Sequence, residues 1–204
     1  MHTFFHGLLL LFSPRGAWQR IADHDAGVLK VLFLQTIPFA LIPAVCWYYG
    51  VTQIGWSVAG EVIKLTPASA APMCAMFFLA MVSGVMFVGF MVRWMSESYA
   101  PEGGYVASYA DGVRLISYTA MPFFIGGFMG LNPILWLDII LGVAIACYCI
   151  FLLFIGVSPM MRVSETQAFL YASAVFAVAL VAFVGLLTVT VLLWDIGPSP
   201  EYMY

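Results

Sequence analysis

Four long apolar runs, separated by short polar stretches, dominate the chain. Three of them hold no charged residue and the third in order holds one, Asp138; they cover residues 31–60, 65–92, 115–161 and 166–194. A membrane-spanning helix needs roughly 20 predominantly apolar residues. At about 1.5 Å rise per residue the third run is too long for one crossing, and its sequence GLNP at 130–133 favours a turn that divides it.

The pattern therefore predicts an all-α integral membrane protein with five transmembrane helices. The predicted spans cover residues 29–49, 71–94, 113–131, 133–157 and 168–194. The third span is short and contains Pro122, Gly126 and Gly127, breaks that are tolerated where neighbouring helices satisfy the freed backbone groups. This prediction divides the chain into an N-terminal segment at 1–28, a five-helix domain at 29–195 and a short external tail at 196–204.

The N-terminal segment has an apolar stretch at 4–12 that is too short to cross a bilayer. No Lys or Arg precedes it and no small-residue cleavage site follows, so it does not fit a signal peptide. Arg15, Trp18 and Arg20 come next. The sequence predicts an amphipathic segment at the cytoplasmic interface, with these three side chains as lipid contacts.

Composition supports the membrane assignment. Of the 204 residues 64% are hydrophobic and 8% are charged, and the mean hydropathy is +1.03. A soluble domain carries about 25% charged residues, so a soluble enzyme is excluded. The net charge of −3 argues against a nucleic-acid partner, which would need a basic face.

The distribution of Lys and Arg predicts the orientation, because these residues are retained on the cytoplasmic side. With five spans and a cytoplasmic N-terminus, Lys64 alone lies outside. The six that lie inside are Arg15, Arg20, Lys30, Arg93, Arg114 and Arg162. We therefore predict a bacterial inner-membrane protein with its N-terminus in the cytoplasm and its C-terminus outside.

Apart from residues next to a span end, Asp138 is the only charged residue within a predicted span. An intramembrane carboxylate is expensive and suggests a functional site. It lies near the outer end of the fourth span, where it could also be protonated or bond a neighbouring helix. Both alternatives, a role in proton or ion handling and a structural role, stay open at this stage.

The remaining candidate ligands predict no metal or cofactor. His2 and His6 could share a helix face, but no third ligand lies nearby. Cys46 and Cys74 fall near the outer ends of their spans, where they could form a disulfide or remain free thiols. The sequence contains no nucleophile elbow, HExxH or Gly-rich phosphate loop, so we expect no enzyme activity.

Small residues recur at four-residue spacing within the spans, a pattern that lets membrane helices approach closely. They serve packing within the bundle or a dimer face. The pairs are Ala80 and Gly84, Gly126 and Gly130, and Gly142 and Ala146.

Several short motifs, in order and spacing, resemble the bacterial inner-membrane members of the Yip (Ypt-interacting protein) domain family, especially the YohC-like branch. They are SPR at 13–15, IPAVC at 42–46, TQIGW at 52–56, YTAMP at 118–122 and FLLFIGV at 151–157. The resemblance implies a five-helix membrane protein with a cytoplasmic N-terminus. Eukaryotic members are associated with Rab-type GTPases and membrane shaping, through a long cytoplasmic N-terminal region that this sequence lacks.

Three functional hypotheses follow. The first is a non-enzymatic protein that binds membrane lipid, other membrane proteins or a second copy of itself, or that organises lipid. The second is a small transporter or channel that uses Asp138 and the Pro/Gly-broken third span, since discontinuous helices often line substrate sites. A membrane-embedded enzyme of lipid chemistry ranks last.

Overall fold

The computed structural model describes residues 9–24, 26–58, 61–99, 104–196 and 200–203. His2 and His6 lie outside the described residues. Four helices in the described part are long and apolar enough to cross a membrane. The helices are α1 Pro14–Asp23, α2 Val28–Ile54, α3 Pro67–Tyr99, α4 Tyr109–Thr119, α5 Met121–Gly126, α6 Leu135–Met161 and α7 Glu165–Ile196.

The first spanning helix, α2, is helical throughout but irregular. It widens into π-helical turns at Leu32–Thr36 and Gly50–Ile54. Pro38 follows the first wide turn and Pro43 lies inside the regular part. Proline has no N–H to donate to the preceding turn, so the backbone hydrogen-bond pattern must shift around it.

The third predicted span is helical but broken. It consists of α4, α5 and a 3₁₀ turn at Gly127–Leu131, with Pro122 at the start of α5. For this reason it is absent from the four long apolar helices. Its first part packs beside residues 28–36 and its last part beside residues 37–54, so the broken segment runs parallel to α2.

A small antiparallel sheet forms at the far end of α2, an addition to the predicted all-α architecture. Its strands are β1 Trp56–Val58, β2 Glu61–Leu65 and β3 Tyr202–Met203, in the order β1-β2-β3. The N–H of Thr66 also donates to the carbonyl of Glu201 at 2.9 Å. The C-terminal tail is therefore held against the loop that joins α2 to α3.

The N-terminal segment is part of the protein core. On α1 the apolar face, Ala17, Trp18 and Ile21, is buried and packs on α6, while Arg15 and Arg20 on the other face are exposed. Trp18 has 0% exposure, so the expected contact of this side chain with lipid is wrong. Its bulk fills a space that a small residue of α6 leaves open.

That space is provided by Gly156, where an added Cβ would lie 2.5 Å from the Trp18 ring. The ring also makes an edge contact with Tyr118, at 6.5 Å between centroids. Deeper in the same cluster, the Tyr171 hydroxyl donates to the carbonyl of Val92, which ties α7 to α3. Because the ring of Trp18 is buried inside the protein, it does not occupy the interfacial position that the sequence suggested.

Candidate functional site

A cavity of about 170 Å³ lies between α2, α3, α6 and the broken third segment. Its lining combines aromatic rings, glycine backbone and one carboxylate. The lining residues are Pro43, Trp47, Phe77, Phe123, Gly126, Gly127, Met129, Asp138, Gly142 and Ile145. Asp138 and the Pro/Gly-broken segment, which the sequence singled out separately, thus belong to one site.

The glycines of the broken segment bring three helices together around the cavity. A Cβ at Gly126 would lie 2.5 Å from Ile145 of α6, and one at Gly127 would overlap Pro43 of α2. A Cβ at Gly130 would lie 2.8 Å from the Trp47 ring. Because these positions carry no side chain, the backbone of the broken segment approaches α2 and α6 closely.

Asp138 lies in the first turn of α6, and its backbone N–H donates to the carbonyl of Ile134 at 2.9 Å. The positive end of a helix dipole favours a carboxylate at this position. The side chain is half-buried, and it is the only charged group among the described lining residues. The cavity therefore has an acidic wall with no basic partner in its lining.

Two of the rings that line the cavity are partly exposed. Phe77 and Phe123 remain 38% and 43% exposed at its rim. Beyond the cavity, a buried cluster that includes Phe39, Met121 and Phe124 fills the space between α2 and the broken segment. Part of the cavity lining is therefore exposed at the surface of the bundle.

A second polar site lies at the opposite end of α2, where the loop at 104–108 leads into α4. Asp111 and Arg114 form a buried ion pair with 2.5 Å between Oδ1 and Nη2. The other carboxylate oxygen accepts hydrogen bonds from the Tyr105 hydroxyl at 2.5 Å and from the Ser108 N–H at 2.8 Å. Arg114 also donates to the carbonyl of His24, which ties the N-terminal segment to α4.

The environment shifts two of these groups in opposite directions. Burial tends to raise the pKa of Asp111, but the hydrogen bonds from Tyr105 and Ser108 and the charge of Arg114 oppose it, and the net shift is downward. Burial and the hydrogen bond to Asp111 raise the pKa of the Tyr105 phenol. The guanidinium of Arg162 lies 4.4 Å from the centre of the Tyr105 ring, a cation–π distance.

This second site was not anticipated from the sequence, where Arg114 served only to orient the spans. Two local signals could have found it. Ser108 and Asp111 have the spacing of a capping box, which the structure forms, and Asp111 and Arg114 are three residues apart on a helix. The site joins three segments: the loop at 104–108, α4 and the backbone at His24.

The other sequence-predicted residues fall into two groups. Gly126 and Gly130 lie in close helix contacts, whereas a Cβ at Gly84 or Gly142 would meet open space. Ala80 is half-buried and Ala146 is exposed. The pairs Ala80/Gly84 and Gly142/Ala146 thus do not mediate close backbone approach within this chain.

The four cysteines, Cys46, Cys74, Cys147 and Cys149, are free thiols in the structure. Among the described residues no group of three or more His, Cys, Asp or Glu side chains could hold a metal ion. Among the described residues, the candidate site is therefore the cavity that Asp138 and the broken segment line, which we call the lateral cavity.

Comparison with known proteins agrees with the resemblance seen in the motifs. Two curated relatives are both named Inner membrane protein YohC, from Escherichia coli strain K12 and from Escherichia coli O6:H1 strain CFT073. Each is 29% identical over 159 residues, which covers 78% of this chain and 80% of the relative. No solved structure matches the chain. The model of the Yip1 domain family matches residues 8–186, most of the length, and the chain therefore belongs to the Yip1 domain family.

Proposed function

We propose that this protein is a non-enzymatic bacterial inner-membrane protein that binds a lipid molecule in the lateral cavity and so organises lipid around the bundle. The observation that carries the proposal is the cavity itself, whose lining includes the partly exposed rings of Phe77 and Phe123. We take this exposed side of the cavity to be the side that faces hydrocarbon. The name of the two relatives, Inner membrane protein YohC, and the four long apolar helices support the inner-membrane location.

The topology proposed for this role has five crossings. The broken segment runs parallel to α2, which supports a crossing between α3 and α6. The pairing of β3 with β2 supports the same count, because a tail after the last span meets the loop between the first two spans only after an odd number of crossings. Lys64 is the single Lys or Arg on that side, which supports an external tail and a cytoplasmic N-terminus.

The orientation has a direct test. A reporter that is active only outside the cytoplasm should work when it is fused after Tyr204 and fail when it is fused within the loop at 104–108, between α3 and α4. Activity of the fusion in that loop would overturn the proposed orientation.

We also propose that Arg15 and Arg20 contact anionic lipid of the inner leaflet, because both are exposed on the outward face of α1. Each basic residue near such a surface contributes about 1 kcal/mol. Replacing both by Glu should reduce the binding of anionic vesicles by the purified protein. Unchanged binding would remove the lipid role from this face.

Filling the cavity tests the lipid proposal. Gly142 lines it, and a Cβ there meets no atom within 4 Å, so the side chain of Gly142→Leu begins in open space and adds volume to the cavity lining. Gly185 on α7 is exposed, also has open space and does not line the cavity, so Gly185→Leu is a matched control. We expect the first variant, and not the second, to lose lipid that co-purifies with the wild type. Equal lipid content in all three proteins would contradict the proposal.

A small transporter is the second candidate, favoured by the meeting of Asp138 with the broken segment in one cavity. The buried apolar cluster that includes Phe39, Met121 and Phe124 supports a binding site over a path across the bilayer, because it fills space between α2 and the broken segment. Flux of protons or common cations into proteoliposomes that is lost in Asp138→Asn would reverse this ranking. We expect no flux in either protein.

A further inference from the structure

Resting on the proposed lipid role of the cavity, we infer the chemistry of its ligand: the primary ammonium headgroup of an aminophospholipid, such as phosphatidylethanolamine. In this arrangement the Asp138 carboxylate accepts hydrogen bonds from the ammonium group and the aromatic rings of the cavity surround it. The acyl chains remain outside, along the exposed side of the bundle.

Charge is the first argument. Asp138 is half-buried and faces no basic side chain within the described lining of the cavity. A carboxylate that leaves water is stabilised by a paired cation with good hydrogen-bond geometry. The ligand that complements this wall is therefore cationic at the point where it meets Asp138. An anionic headgroup such as phosphatidylglycerol would meet repulsion there.

The rings are the second argument. Trp47, Phe77 and Phe123 line the same cavity, each from a different element. The faces of Trp and Phe attract cations, and sites that recognise ammonium ligands commonly combine several such rings. A carboxylate together with three rings matches a cation that carries N–H donors on a short carbon stem.

Size and access are the third argument. The cavity measures about 170 Å³, several times the roughly 30 Å³ that a water molecule occupies in the liquid. That volume suits an ethanolamine group and is too small for an acyl chain. Phe77 and Phe123 are partly exposed, and on the proposed orientation a headgroup attached to a membrane-embedded tail enters the cavity past them.

The leaflet follows from the position of Asp138. It lies one turn into α6, and the preceding turn at Gly127–Leu131 packs beside Gly50, next to the hairpin of β1 and β2. The headgroup site is therefore in the leaflet on the hairpin side, at the depth where the first turn of a spanning helix meets the polar headgroups.

Retention of lipid by the full-length protein tests the inference. The wild type is incubated with vesicles of equal phosphatidylethanolamine and phosphatidylglycerol, extracted in mild detergent, purified, and its bound lipids are quantified by mass spectrometry. We expect a several-fold excess of phosphatidylethanolamine over phosphatidylglycerol, which falls to about one in Asp138→Asn. Asp138→Glu keeps a carboxylate and should keep a preference. Glu165→Gln, in the first turn of α7, removes a carboxylate from an equivalent helix position outside the cavity and should leave the ratio unchanged.

Thermal unfolding in detergent separates a lipid from a soluble amine. Short-chain phosphatidylethanolamine should raise the Tm of the wild type and of Glu165→Gln but not of Asp138→Asn. Free ethanolamine at the same concentration should give no comparable shift. An equal, Asp138-dependent shift with free ethanolamine would overturn the lipid assignment. The Tm of each variant without lipid shows whether it folds, and Asp138→Glu keeps the test decisive if Asp138→Asn does not.

The outcomes distinguish this inference from the proposed function. If the wild type retains both lipids equally and Gly142→Leu loses both, the cavity binds lipid and the headgroup assignment is wrong. If the wild type retains neither lipid, both proposals are wrong. An unchanged excess of phosphatidylethanolamine in Asp138→Asn would overturn the role assigned to this carboxylate.

Discussion

The buried pair of Asp111 and Arg114 shows how single residues hold this membrane protein together. Both side chains are almost fully buried, at 4% and 5% exposure. Every described contact of the carboxylate comes from the loop at 104–108 or from Arg114, and Arg114 reaches back to the carbonyl of His24. Taking such charges out of water is costly, so the pair is stable only while all its partners are in place.

Removing one charge should therefore be more harmful than removing an exposed one. We expect Asp111→Asn to lower the free energy of unfolding by about 3–5 kcal/mol, because it leaves the Arg114 charge buried without its carboxylate. The measurement is thermal or denaturant unfolding in a mild detergent. Glu97→Gln, at an exposed position near the end of α3, is the control and should change stability by less than about 0.5 kcal/mol. A loss of similar size in both variants would contradict the role of the pair.

The lowered pKa of Asp111 also predicts a pH dependence with a definite sign. The pKa in the folded protein is below the value of about 3.9 for an unfolded Asp. The ionised group therefore contributes stability that is fully present above that value and is lost as the pH falls through the folded pKa. We expect the stability of the wild type to decrease between about pH 5 and pH 3 more steeply than that of Asp111→Asn. Parallel pH profiles for the two proteins would rule out Asp111 as the titrating group.

At the scale of elements, the broken third segment sets the geometry of the bundle. It crosses α3 with backbone in contact, since a Cβ on Gly112 would overlap the carbonyl of Gly89 and one on Gly89 would lie 2.9 Å from the Cα of Val113. Small residues at such a crossing let two membrane helices approach closely. The contact fixes the beginning of the segment on α3, while its end is fixed on α2.

A pair of alanine substitutions on α3 tests this crossing. Gly89→Ala should destabilise the protein, because the added methyl group meets backbone that cannot move aside. Gly84→Ala, five residues earlier on the same helix, adds the methyl group in open space. There the higher helix propensity of Ala should leave stability unchanged or raise it by up to about 1 kcal/mol. If Gly89→Ala is as stable as Gly84→Ala, the two helices do not cross at this point.

Four of the five predicted spans correspond to long helices whose ends differ from the prediction by between one and five residues. They could be predicted because charged residues bound apolar runs of the right length. The breaks at Pro122 and Gly127 were also predictable, since both residues act on the backbone locally. The pairing of β2 with β3 was not predictable, because it joins the loop after α2 to the distant tail at 200–203.

The candidate site was predictable only in parts. Asp138 and the broken segment each stood out in the sequence, but their meeting in one cavity depends on the positions of Trp47 and Phe77 on two other helices. The burial of Trp18 was missed for a related reason. The sequence shows an amphipathic helix with a Trp, and only the packing against Gly156 decides whether protein or lipid covers that ring.

At the scale of the whole molecule, the two ends of the bundle are fastened in different ways. At one end Arg114 joins the N-terminal segment to α4, and Arg162, just after α6, contacts the loop at 104–108. At the other end the hairpin of β1 and β2 binds the C-terminal tail. Exposed Trp94 and Trp136 lie near the ends of α3 and α6, where indole rings favour the headgroup level. Polar contacts therefore join separate segments at each end of the bundle, on either side of its apolar middle.

The pairing of the C-terminal tail with the hairpin gives a prediction about how many times the chain crosses the bilayer. Lys64 and Met203 are direct partners in the antiparallel pairing of β2 with β3. Opposite residues in such a pair have Cα atoms about 4.5–5.5 Å apart, which is within the range for a disulfide. In a background with the four native cysteines replaced by Ala, the double variant Lys64→Cys/Met203→Cys should oxidise to an intramolecular disulfide. Mass spectrometry of the alkylated protein would measure it as the loss of two reactive thiols.

The matched control places the second cysteine at the opposite end of the bundle, in Lys64→Cys/Arg162→Cys. Its two thiols should both remain free, because Arg162 lies beside the loop at 104–108 and not beside the hairpin. The pair at 64 and 203 can form only if the chain crosses the bilayer an even number of times between the first loop and the tail, which is four crossings when the chain has five spans. A disulfide in the control together with free thiols in the test pair would place the tail on the other side. The broken segment would then not be a crossing, and the protein would have four spans.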